Sequence, residues 1–149
     1  MSGAEIFQVF ASAVTVAKLA RRTVHILKSA SRGGSHIREM RQKIWHLHQI
    51  VETVQEFVKH RKDMQTGEDV SGFELMIWKH LESSLKASER LLEDFERMVE
   101  PTNHPNPGLI QTGIIELQLE WNRNEIEHFE RGIGGYVQAI HLWITSLQA

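Results

Sequence analysis

Nine histidines are the residues of this 149-residue chain best suited to chemistry, yet their spacing does not assemble a metal site. His46 and His48 stand two apart, which on a helix turns them about 200° from one another and prevents joint chelation. Neither a His-x3-His pair nor the HExxH pattern of zinc hydrolases occurs. Gly132-Ile-Gly-Gly135 lacks the lysine and hydroxyl of a phosphate-binding loop and follows a helical stretch, so it reads as a kink or a close-packing point. No serine lies in a GxSxG elbow, and Glu116 and Glu120 share a helix face without a neighbouring base. Trp45, Trp78, Trp121 and Trp143 read as core or boundary anchors, with only Trp45 in a basic neighbourhood. These patterns predict no enzyme, metal or cofactor, and a function carried by what the chain binds.

The elements that must position any binding surface are helices. All three prolines fall between Pro101 and Pro107, and a chain free of breakers elsewhere permits long helices. A first helix is predicted over about 3–29, opened by the capping box Ser2-x-x-Glu5 and ended by Ser31-Arg32-Gly33-Gly34. A second spans about 35–62. Its apolar residues Ile37, Met40, Ile44, Leu47, Val51, Val54 and Val58 alternate in steps of three and four, an unbroken heptad seam. A third covers about 71–100, from the capping box Ser71-x-x-Glu74 along Phe73, Ile77, Leu81, Leu85, Ser88, Leu92, Phe95 and Val99. Glu82 with Lys86 and Glu93 with Arg97 are i,i+4 pairs of a solvated face. A fourth covers about 109–131. Its pattern resumes over 133–147 at Val137, Ile140, Ile144 and Leu147, as a continuation or a short fifth helix. The expectation is one all-α domain over residues 1–149, a bundle of four long helices.

Composition fits that class: 41% apolar and 24% charged residues are ordinary for a globular domain. The absence of cysteine fits a reducing compartment, and no signal peptide or run of about 20 apolar residues is present, so a soluble, cytoplasmic protein is expected. The net charge of −2 is divided unevenly. Residues 1–62 hold 11 Lys/Arg against 4 Asp/Glu, and residues 63–149 hold 6 against 15. Either the two halves neutralise each other across the bundle, or the basic half meets an anionic lipid or an acidic partner.

The first helix has the most unusual chemistry. Twelve uncharged residues separate Glu5 from Lys18, and Ile6, Phe7, Val9, Phe10, Ala13, Val14 and Ala17 cover more than one stripe. A helix apolar nearly all round is central to a bundle, or meets a membrane or a partner. From Ala4 to Ala20 it would measure roughly 26 Å against a hydrocarbon core of about 30 Å. Lys18, Arg21, Arg22 and Lys28 follow it and are candidates for contact with anionic head groups or a partner.

The opening Met1-Ser-Gly-Ala-Glu-Ile6, the small, apolar first helix and the long amphipathic helices after it resemble the N-terminal domains of fungal STAND (NLR-like) receptors, the SesA and HeLo-like groups. The resemblance is clearest over the first helix and looser over the helical layout. It implies a non-enzymatic signalling or cell-death domain of fungal innate immunity, fused in a full-length parent to a NACHT or NB-ARC module. It also implies self-association on activation, no nucleic-acid partner, and relocation to the plasma membrane as the first helix leaves the bundle. That inserting role would fall on Ile6, Phe7, Val9, Phe10, Val14 and Val16. The chain departs from the receptor pattern in reaching Ala149 without a P-loop. A helical adaptor module without membrane activity is the alternative.

Overall fold

A computed structural model describes residues 2–29, 34–64, 72–99 and 123–148, and every one of them is helical. The helices are α1 (Ser2–Ser29), α2 (Gly34–Met64), α3 (Gly72–Val99) and α4 (Arg123–Gln148). The Pro101–Gly108 segment, the start of the fourth helix at Leu109, Glu116, Glu120 and Trp121 lie outside the described residues.

The heptad seam does in space what its spacing demands. All seven seam residues of α2 are buried, and they face a core supplied by α1, α3 and α4. On α3 the stripe from Ile77 to Phe95 is buried, including Ser88, whose hydroxyl donates to the Ser84 carbonyl at 2.8 Å and so needs no external partner. Phe73, placed on that stripe by its spacing, is instead 70% exposed at the start of α3.

α4 runs unbroken through Gly132–Gly135, so the pattern that resumes over 133–147 continues the same helix. A β-carbon at Gly132 would lie 2.6 Å from Leu91 Cδ2, whereas Gly134 and Gly135 have open space beside them. Gly132 is therefore a close-packing point between α3 and α4.

α1 packs against α2 and α3, and α4 packs against the same two helices. The order round the bundle is accordingly α1, α2, α4, α3, with α1 across the diagonal from α4 and α2 from α3. Pairings give the directions. Arg22 meets Glu96, and the Gln8 amide, oriented to donate, meets the Glu82 carboxylate at 3.1 and 3.3 Å, so α1 and α3 run parallel. Arg21 meets His48 and Gln55 donates to the Ala13 carbonyl, so α1 and α2 are antiparallel. His80 stacks on Trp143 and Phe95 on Phe129, so α3 and α4 are antiparallel.

Among the described residues, ion pairs that cross between the basic and the acidic half include Arg22–Glu96 at 2.8 Å, Lys43–Glu130 at 3.7 Å, and Arg61–Glu74. Within α3, Lys86 holds Glu82 at 2.9 Å as its spacing predicts. Arg97 does not hold Glu93; it turns to Asp94, three residues back. Glu93 instead sits by Glu89, whose carboxyl is raised above its ordinary range by burial first and by Glu93 second.

Candidate functional site

The six apolar candidates of α1 do not share one surface. Ile6, Val9 and Val16 are buried in the core, Phe10 and Val14 are half-buried, and Phe7 is 62% exposed. The division follows from helix geometry: Ile6, Val9, Ala13, Val16, Ala20, Val24 and Leu27 advance by three or four and line the inner side. Because α1 touches two neighbours, the buried arc is wide, and Ser12, Leu19 and Thr23 are buried beside it. The Thr23 hydroxyl donates to the Leu19 carbonyl at 2.8 Å, which satisfies it inside the core. Among the described residues no helix is long and apolar enough to cross a membrane.

The four cations of α1 are all exposed, but they have different surroundings. Arg22 lies on the α3 side with Glu96. Lys18 and Arg21 lie on the α2 side, where with Val14, Ala17, Glu52, Gln55 and Glu56 they line a groove of about 270 Å³. Lys28 stands near the end of α1 on the same side as Arg21, two turns on.

At the head of that groove is a cluster the residue types alone did not disclose. His48, whose spacing from His46 only rules out joint chelation, is 3% exposed. Arg21 Nη2 approaches its Nε2 at 3.4 Å, and Glu52 Oε1 lies 2.9 Å from its Nδ1, outside hydrogen-bonding alignment. A guanidinium only donates, so Nε2 accepts and the neutral ring keeps its proton on Nδ1, towards Glu52. Burial lowers the pKa of His48; Glu52 opposes that shift and Arg21 adds to it. Trp45 covers the ring in a stack of 5.0 Å between centroids and 13° between planes, yet remains 46% exposed. Within the cluster the Arg21–His48 contact joins α1 to α2, while Glu52 approaches the ring from within α2. Only Nε2 has a hydrogen-bond partner; Nδ1 faces Glu52 without a well-aligned bond, and no hydroxyl is among the described residues that line the groove. The signal for His48 was its position: it follows Ile44 by four and precedes Val51 by three, which places it on the flank of the seam.

A second groove of about 320 Å³ lies between α3 and α4. Leu91, Phe95, Met98 and Phe129 form its apolar part, with Asp94, Glu125 and His128 on the rim. Glu125-x-x-His128 carries a metal-binding spacing, with both residues on one face of α4. Among the described residues, however, no group of three metal-binding side chains converges there or elsewhere.

Comparison with protein-family models, curated proteins and solved structures finds no match to this chain.

Proposed function

We propose that the chain is a non-enzymatic signalling domain of the fungal NLR-like type, which acts by docking protein partners, further copies of itself among them, while α1 stays inside the bundle. The burial of α1 carries this reading. Ile6, Val9, Ala13, Val16, Ala20 and Leu27 fill the space between α2 and α3, and taking them out would expose the core they cover. Each large apolar side chain so withdrawn costs about 1.5–3 kcal/mol, so Ile6, Val9, Val16 and Leu27 together cost about 6–12 kcal/mol, comparable to the whole stability of a typical domain, about 5–15 kcal/mol. The locale of such a domain is the cytoplasm, and its parent would supply the nucleotide-binding module.

Hydrogen exchange over residues 4–20 tests the reading, with and without anionic liposomes and with the chain clustered by a fused dimeriser. Protection close to that of α2 throughout supports it. Loss of protection on liposomes, with dye leakage, sinks it in favour of membrane engagement by α1. The exposure of Phe7 next to half-buried Phe10 and Val14, with Lys18 and Arg21 one to two turns further on, favours that second reading and supplies its probe. Under it, Phe7→Glu would stop leakage without unfolding the bundle.

A further inference from the structure

The outer side of the α1–α2 seam carries two stripes of like character. On α1, Arg21, His25 and Lys28 follow one another by four and three and are exposed. On α2, Arg38, Arg41 and Trp45 follow by three and four, with Arg41 half-buried and the other two exposed. No carboxylate lies between Arg38 and Trp45 or between Arg21 and Lys28 on these stripes; Glu39 points about 100° away from Arg38, and Glu52 comes two turns after Trp45, beside His48. An exposed tryptophan with Arg41 one turn away and Arg38 two turns away has the composition of an interface hot spot. The groove on the α3–α4 seam has the converse character, an apolar floor with the exposed carboxylates Asp94 and Glu125 on its rim. Asp94 already pairs with Arg97, but both side chains are about two-thirds exposed, so that pair is weak and exchangeable.

The two features lie on opposite sides of the bundle, because α1–α2 and α3–α4 are opposite edges of the ring. They also stand at the same height. Arg21 is level with His48, Arg22 with Glu96, and Phe95 with Phe129, which puts Trp45 opposite Met98 and Glu125. We infer that these are the two halves of one contact: Trp45 of one copy enters the Leu91–Phe95–Met98–Phe129 groove of the next, with Arg38 and Arg41 against Asp94 and Glu125. The occupant of the groove is a second copy of this chain, which brings a face of the opposite charge at the matching height. The inference rests on the docking-module reading above and specifies its surfaces. Since the two faces differ and point apart, the contact is head-to-tail. It leaves a free face at each end, so assembly continues side by side instead of stopping at a dimer.

Sedimentation velocity over a concentration series decides the matter. The wild-type chain is expected to grow in mass past the dimer at low salt and to fall back towards monomer near 1 M salt, where the Debye length is about 3 Å. Trp45→Ala with Arg41→Glu removes one face, and Asp94→Lys with Glu125→Lys removes the other. Each double variant alone should be monomeric, and an equimolar mixture should stop at a one-to-one heterodimer through the intact pair of faces. Circular dichroism and melting temperature check that both stay folded; all four positions are at least partly exposed. A wild-type chain that stays monomeric overturns the inference, as does a double variant that still self-associates, the mark of a symmetric contact or of a groove filled by the chain itself. Neither outcome touches the hydrogen-exchange result on α1, so the broader reading fails separately.

Discussion

His48 is a buried imidazole whose ordinary pKa is lowered, so the unfolded chain takes up its proton at a higher pH than the folded one. The unfolded state then binds more protons as pH falls through about 6.5 and below, and its share of stability is lost in that window. Glu89 acts in the opposite sense: its raised pKa means the folded chain takes up that proton first, which adds stability as pH falls through the carboxylate range. Denaturant unfolding at about pH 7.5 and 5.5 should therefore show a fall in stability that His48→Gln reduces and Glu89→Gln does not. An unchanged fall in His48→Gln would place the acid sensitivity elsewhere. The burial of His48 was only half legible in the sequence. Its neighbours in the seam mark the flank it occupies, but its closeness to Arg21, 27 positions away, depends on how α1 packs on α2.

Among the elements, α1 and α4 carry the clearest tests. A charge at Phe7 meets solvent and a charge at Val9 meets the core. Phe7→Glu should change stability by under about 1 kcal/mol, while Val9→Glu should unfold the domain or cost more than 4 kcal/mol, measured by urea titration. Equal effects at the two sites would mean that α1 is not seated as described. On α4, Gly134→Ala and Gly135→Ala relieve the entropy cost of a helical glycine in open space, so each should stabilise by about 0.5–1 kcal/mol. Gly132→Ala should gain less, because Leu91 must first move aside. Thermal melts of the three variants rank them directly. That one glycine of this run matters and two do not is invisible to periodicity, which registers a weak helix former but not the distance to the facing helix.

At the scale of the whole molecule, the charge division finds an account in the folded bundle. The basic first half and acidic second half meet in Arg22–Glu96, Lys43–Glu130 and Arg61–Glu74, which bind α1 and α2 to α3 and α4. Partly exposed pairs of this kind give about 0–1 kcal/mol each. The combined variant Arg22→Gln, Lys43→Gln, Arg61→Gln should thus lose up to about 3 kcal/mol at low ionic strength and much less near 1 M salt. Equal losses at both salt concentrations would assign the effect to lost packing of the long side chains. The ring order α1, α2, α4, α3 places like-directed helices side by side, α1 with α3 and α2 with α4. It also sends the two charge-bearing seams to opposite edges, the arrangement on which head-to-tail growth depends.

Helix class and the inner faces of α2, α3 and α4 were determined by the sequence alone. Each depends on spacings of three and four within one segment, where covalent geometry carries a residue to its face without help from the rest of the fold. Tertiary structure decided the rest. It turned the over-apolar α1 into a strut between two helices, kept Phe7 and Phe73 outside, locked His48 between Arg21 and Glu52, and opposed Trp45 to the α3–α4 groove. These outcomes hang on which helices become neighbours, a choice made by packing and charge over the whole bundle and written in no single stretch of the chain.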